Sequence, residues 1–335
     1  MRAAVFHDVG QPLHIESVPD PVPGPGEVVV KVGRCGICAS DLHMSRDPAY
    51  VRAGGVVMGH EFAGEVVARH PDVAELMLGD RIALMPITGC GRCAGCLAGE
   101  PAYCRARVLE AGGYAQYALA RAREAKRLPA NLTMQDGALA EPLAVARHGL
   151  RLSRMNAGMR ILVMGAGPIG LSTAFWARLE AAGPIAVLAR SARHGSLASL
   201  MGATAFVEAA RLETLEDKLG GPPEIIFECT GQPGMIDEAM SRIARGGTIV
   251  VLGICWEPDR IHPLQGIRQE CRLQFSAYFT LADFEAAVAV LASGQLAPRA
   301  MVTRTISLEE LPGMFEELRG PTPHCKVMVD PWSGL

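Results

Sequence analysis

The chain has 335 residues, is 49% hydrophobic and 20% charged, and carries a net charge of −3. That length exceeds one ordinary domain of roughly 100–200 residues, and the balance is that of a packed core rather than a disordered chain. The weak negative charge favours neither a nucleic-acid backbone nor an anionic lipid surface, no apolar run reaches the roughly 18–20 residues of a bilayer span, and His7 and Asp8 interrupt the opening segment before a signal core can form. The expectation is a cytoplasmic protein with no nucleic-acid or membrane partner.

The first half reads as short strands and turns. Ala3–Phe6 is a short apolar run, and the four prolines between Pro19 and Gly26 exclude helix interior because they lack the amide donor. Val28–Val32 is a β-branched strand, and Glu65–Ala68, Arg81–Met85 and Tyr114–Leu119 read the same way. Residues 1–143 are therefore expected to form a mostly β domain. From Arg160 the texture changes. Strands at Arg160–Met164, Ile185–Leu188, Glu224–Phe227 and Thr248–Leu252 alternate with helices at Ser196–Met201 and Met235–Ile243. That alternation predicts an α/β domain with a doubly wound parallel sheet over residues 144–279. Phe284, Ala287, Val288 and Leu291 have helical spacing, which predicts a helix over Asp283–Ala292.

The first strand of the alternating half runs into Gly165-Ala-Gly167-Pro168-Ile169-Gly170, a G-x-G-x-x-G pattern between a strand and a helix. Gly165 permits the tight turn, Gly167 lets backbone approach a pyrophosphate, and Gly170 lets helix pack on strand. The amides at the helix start then face the phosphates, which makes this a dinucleotide loop. About 20 residues further on, an acidic residue is needed to hold the ribose 2′-hydroxyl of NAD(H). Ala189 stands there instead, followed by Arg190, Ser191 and Arg193. Guanidinium groups bind phosphate through paired charge-assisted bonds, so the expected cofactor is NADP(H) in preference to NAD(H).

Six of the ten cysteines fall between Cys35 and Cys104. Cys90, Cys93, Cys96 and Cys104 have the spacing C-x2-C-x2-C-x7-C, in a lobe over about 86–106. Four thiolates at such spacing close a tetrahedral zinc with no open position. An iron–sulfur cluster and disulfides are the alternatives. A second constellation joins Cys38, His60, Glu61 and Glu141, which offer a thiolate, an imidazole and carboxylate oxygens to a metal. Asp41 is placed to hold the second nitrogen of the His60 ring.

These motifs, in this order, resemble those of the zinc-dependent medium-chain alcohol dehydrogenases: Gly36-Ile37-Cys38-Ala39-Ser40-Asp41-Leu42-His43, Gly59-His60-Glu61-x-x-Gly64, the four-cysteine lobe, Glu141-Pro142-Leu143, the glycine loop, and Lys326-Val-Met-Val. Glu141 makes the polyol, sorbitol and threonine dehydrogenase branch the nearest in pattern. The resemblance implies a GroES-like catalytic domain over 1–143 completed by 280–335, with a Rossmann domain inserted between. It implies two zinc ions per subunit, a catalytic one on Cys38 and His60 with Glu61, Glu141 or both contributing directly or through water, and a structural one on the four cysteines. Ser40 and His43 would form a proton relay, with an alcohol or carbonyl compound as substrate and a homodimer or homotetramer as the assembly. Reduction of a double bond or an imine on the same fold, and a non-catalytic NADPH-binding zinc protein, are the alternative functions.

Overall fold

The computed structural model describes residues 1–334. Its backbone divides into two units at 141/142 and 279/280, against the expected 143/144 and 279/280. The first unit comprises Met1–Glu141 and the chain from Thr280 onward; the second is Pro142–Phe279.

The first unit is built on a seven-stranded sheet. Its central strand, Glu27–Gly36, pairs antiparallel with Glu61–Arg69, Tyr117–Arg121 and Lys326–Val329. Arg81–Leu84 and Ala125–Arg127 extend one side, and Val302–Ile306 extends the other in parallel with Lys326–Val329. Val28, Val30 and Val32 alternate along the central strand and bury one face against Phe62, Val66, Ile82, Val327 and Val329. Each such side chain contributes about 1.5–3 kcal/mol on full burial. Arg2–Phe6 forms a small separate sheet between His14–Ser17 and Val56–Val57, and its Ala4 and Phe6 join the same core.

Two strand boundaries differ from expectation for a visible reason. The run starting at Tyr114 becomes strand only from Tyr117, because the Tyr114 amide donates to the Met58 carbonyl and its own carbonyl accepts from Ala4. Those groups are thus spent on other partners. The strand expected at Glu65 begins four residues earlier, since Glu61 lies in register with Gly36.

The second unit is a six-stranded parallel sheet. Its strands are Ile161–Met164, Ile185–Ala189, Ala205–Glu208, Ile225–Glu228, Thr248–Val251 and Arg272–Phe275. In that chain order the spatial order is 3-2-1-4-5-6. The first and fourth strands are therefore neighbours, and the chain leaves them in opposite directions across the sheet. Such a switch point opens a crevice at the carboxyl ends of the strands. The first two strands and the fourth carry continuous buried apolar runs, as parallel strands covered on both faces require.

Candidate metal centres and cofactor site

Register builds the first site. Gly36 pairs with Glu61 on one side of the central strand and with Met328 on the other. The chain therefore brings Cys38, His60 and Lys326 close together from three distant stretches of sequence. A side chain at position 36 would collide with Glu61, since a Cβ there would lie 2.1 Å from Oε2. Only glycine lets the carboxylate occupy that space.

Cys38, His60 and Glu61 each present a ligand atom, and the three lie within 4.8 Å of one another. Cys38 is the residue before the short helix Ala39–Met44, and the Ser40 hydroxyl donates to its sulfur at 3.1 Å. Asp41, fully buried in that helix, meets the His60 Nδ1 with Oδ1 at 3.2 Å. Its Oδ2 accepts from the Tyr114 hydroxyl at 2.6 Å and from the Cys38 amide at 3.4 Å. Burial opposes the charge on Asp41, but His60 and these donors outweigh it and hold the carboxyl below its ordinary range. Burial likewise works against a charged His60, and the Asp41 carboxylate reverses that, raising the ring well above its ordinary value.

The Glu61 carboxylate is held at both oxygens by the buried Lys326 ammonium, which also donates to the Ile37 carbonyl. Burial would discharge Lys326, and the charge of Glu61 keeps it protonated. Glu141 is buried nearby on the helix Met134–Ser153; desolvation, then the charge of Glu61, push its carboxyl up to about 7. The three-ligand group within 4.8 Å is Cys38, His60 and Glu61, and Glu141 stands beside it. His43 follows three positions after Ser40 on the same short helix, half-buried. Partial burial, then Arg46 and Arg319, lower its pKa.

The four cysteines of the lobe also converge, with all sulfurs within 4.8 Å. A two-stranded ribbon, Ile87–Thr88 with Val108–Leu109, closes the lobe, and Cys93 precedes the short helix Ala94–Leu97. The Cys93 and Cys96 sulfurs lie 3.5 Å apart, too far for a disulfide bond, and all ten cysteines are free. The amides of Arg92 and Cys93 lower the Cys90 thiol to about 6, and those of Cys90 and Ala106 lower Cys104, while burial pushes Cys96 up to about 11. Amides aimed at sulfur favour the thiolate, which is the form a zinc ion needs. The donor set therefore fits a closed tetrahedral zinc, while three ligands of mixed type at the first site fit a zinc with an open position.

The glycine loop lies at the switch point of the second unit. Gly165 has φ +112°, and its amide donates to the Leu188 carbonyl of the neighbouring strand. A Cβ at Gly170 would lie 2.0 Å from the Gly165 carbonyl, so the helix Pro168–Leu179 packs against the turn only without one. A Cβ at Gly167 would meet nothing within 4 Å, which leaves an open approach to the helix start, with Pro168 and Ile169 as its first residues. The second strand ends at Ala189, and Arg190, Ser191 and Arg193 follow on the exposed turn. His194 donates from Nδ1 to the Ala166 carbonyl at 2.9 Å and so ties that turn to the glycine loop.

Sequence reasoning placed neither Lys326 nor Tyr114 in the site. A lone lysine inside the apolar strand Lys326–Val329 is the signal that marks the first. Nothing local marks Tyr114, whose partner is 73 residues away.

A family model for the alcohol dehydrogenase GroES-like domain matches residues 24–130, and one for a zinc-binding dehydrogenase matches residues 168–293. A sorbitol dehydrogenase of Bacillus subtilis (strain 168) is 30% identical over 345 residues, covering 99% of this chain and 97% of that protein. Among solved structures, a Sinorhizobium meliloti 1021 protein described as a zinc-binding dehydrogenase bound to NADP is 32% identical, with a TM-score of 0.89 over 98% of this chain and 99% of that one. An alcohol dehydrogenase of E. coli CFT073 complexed with NADH is 26% identical, with a TM-score of 0.90 over 98% and 99%. With a thiolate–imidazole–carboxylate group, a four-thiol lobe and a dinucleotide loop in place, the chain belongs to the zinc-dependent medium-chain alcohol and polyol dehydrogenases.

Proposed function

We propose that this enzyme transfers hydride between a secondary alcohol, of the polyol type, and NADP(H), and that it reduces the matching carbonyl compound in reverse. The observation that carries this reading is the pairing of a three-ligand group, Cys38, His60 and Glu61, with a separate four-thiol group. The first suits a catalytic zinc and the second a structural one. Glu141 is a further buried acidic group that feels the charges of Glu61 and His60.

A zinc ion at Cys38 and His60 supplies Lewis acidity to the substrate oxygen. The chain's own residues do the rest. Asp41 fixes the His60 ring with its free nitrogen toward the ligand group. Ser40 and His43, at i and i+3 of one helix, share a face and carry the hydroxyl proton outward. Partial burial, Arg46 and Arg319 lower the His43 pKa, which favours the neutral imidazole that can take up a proton.

The NADP(H) preference rests on Ala189 in place of an acid, on the exposed Arg190 and Arg193 beyond it, and on the NADP-bound relative. The assembly we propose is a cytoplasmic homodimer or homotetramer. The open edge strand Arg272–Phe275 and the exposed Ile254, Leu264, Ile267 and Phe275 support a second copy as the partner. Among the described residues no helix is long and apolar enough to cross a membrane.

The test is a panel of polyols, simple alcohols, ketones, aldehydes and enones, assayed with NADP(H) and NAD(H) in parallel, with and without a zinc chelator. Chelator-sensitive turnover of secondary alcohols with NADP+ is expected. Chelator-insensitive reduction of enones, or cofactor binding without any turnover, would overturn the reading.

A further inference from the structure

Asp41 is a fully buried carboxylate that touches both halves of the candidate catalytic zinc site. Its Oδ1 meets His60 Nδ1, and its Oδ2 meets the backbone amide of Cys38. One carboxylate thus sets the orientation of the imidazole and the position of the thiolate. At 3.2 and 3.4 Å neither contact is short, and neither alone fixes the rotation of the carboxylate about its Cβ–Cγ bond. The short contact is the third one, from the Tyr114 hydroxyl at 2.6 Å.

Tyr114 is itself built to be immobile. It is fully buried, and its ring packs edge-on to Phe315 at 6.4 Å. Its amide donates to the Met58 carbonyl, and the Gly113 amide to the Gly59 carbonyl, so the backbone carrying the phenol is clamped to the segment leading into His60. A Cβ at Gly59 would lie 2.5 Å from the Tyr114 ring, so the segment just ahead of the ligand histidine is shaped around this ring. Among the described residues Asp41 is the polar partner of the phenol, and a hydroxyl in such a place is costly unless bonded.

We infer that Tyr114 is a positioning residue for the catalytic zinc site, acting through Asp41 to hold Cys38 and His60 in ligating geometry before the metal arrives. This rests on the proposed zinc site. Outer partners of metal ligands govern affinity by about 10–100-fold when removed, and Tyr114, one bond further out, is expected at the lower end.

The experiment uses the full chain with Tyr114→Phe, which keeps the ring and removes only the hydroxyl. Metal-stripped protein is titrated with zinc against a chromophoric chelator, with the four-thiol site as internal reference. Cobalt is loaded in parallel, and the visible bands that are lost in Cys38→Ser report the ligand geometry at Cys38 and His60, apart from those of the four-thiol site. Y114F is expected to weaken the catalytic site about 10-fold, to shift the cobalt bands, and to leave the four-thiol site unchanged. Asp41→Asn is expected to weaken it further, and the double variant Y114F/D41N no more than D41N alone, because the phenol acts through that carboxylate. Wild-type affinity and cobalt bands in Y114F would overturn the inference, as would full additivity in the double variant. Equal weakening of both metal sites would also overturn it, since that marks a general loss of stability. Cys38→Ser separates this failure from that of the underlying reading: if C38S binds as much zinc as the wild type, there is no metal at Cys38 and both fall together.

Discussion

Lys326 Nζ lies 2.8 and 2.7 Å from the two carboxylate oxygens of Glu61, and neither side chain is more than 3% exposed. The pair stands where the central strand meets its two neighbours, so the charge that the site must keep for a metal is compensated within the sheet. Removing one partner strands the other charge in the core. Lys326→Met is therefore expected to destabilise the metal-stripped protein by about 3–5 kcal/mol, and Glu61→Gln in the same chain to recover most of that loss. Denaturant unfolding of the three stripped proteins checks it. An unchanged midpoint for K326M would show that the pair carries no such weight.

The two thiolate groups should separate cleanly by mutation. Wild-type protein is expected to hold about two zinc ions per chain. Cys38→Ser should remove one of them and abolish turnover, while NADPH fluorescence titration remains as in the wild type. Cys93→Ser should instead lower the thermal midpoint and the yield of folded protein, because the proposed zinc would cross-link the lobe through all four thiols. Elemental analysis with calorimetry decides. A C93S chain with the wild-type midpoint would remove the structural role of the lobe.

Much of this arrangement was legible before any coordinates. Local signals carry the glycine loop, the cysteine spacing and the alternating strands, since each depends on residues within one turn or one strand. The long helix Met134–Ser153 is masked in the sequence because Gly137 and Pro142 lie inside it, and both are poor helix residues by themselves. Its first turn is fixed by the local pair Thr133 and Asp136, which cap each other across three positions, and by a distant arginine that no local pattern reports. The pairing of Glu61 with Lys326, 265 positions apart, is of the same kind. It follows from strand register, and register is set by the whole sheet.

That distant arginine gives an acid-stability prediction. Arg299 donates from Nε and Nη2 to the two oxygens of Asp136, each at 2.7 Å, and the Thr133 amide and hydroxyl add two more bonds. Burial works against the charge on Asp136, and these donors more than offset it, so its pKa is lowered. A carboxyl with a lower pKa in the folded state binds fewer protons there than in the unfolded chain. Its stabilising contribution is therefore complete above the unfolded value of about 3.9 and is lost as pH falls through the folded one. Arg299→Ala should raise the folded pKa and move the acid-unfolding midpoint to higher pH, with a smaller difference near neutrality than expected for a core cavity. Circular dichroism during acid titration checks it, and superimposable acid limbs would refute the linkage.

The proposed preference for NADP(H) is assigned to the turn after Ala189. A 2′-phosphate adds charge that an acidic residue at the end of this strand would repel, and Ala189 removes the repulsion. Arg190 and Arg193, exposed just beyond it, supply donors that a 2′-hydroxyl cannot use as well. Replacing both by alanine is expected to weaken NADP+ by about 2 kcal/mol, roughly 30-fold, on the scale of hydrogen bonds to charged groups, and to leave NAD+ nearly unchanged. Ala189→Asp should act in the same direction by repulsion, and should improve NAD+ by giving its ribose an acceptor. Dissociation constants for both cofactors, with 2′,5′-ADP and 5′-AMP as fragments, isolate the phosphate. Equal losses for NADP+ and NAD+ in the double variant would mean that the arginines hold the shared pyrophosphate or the fold, and would refute the proposed phosphate clamp.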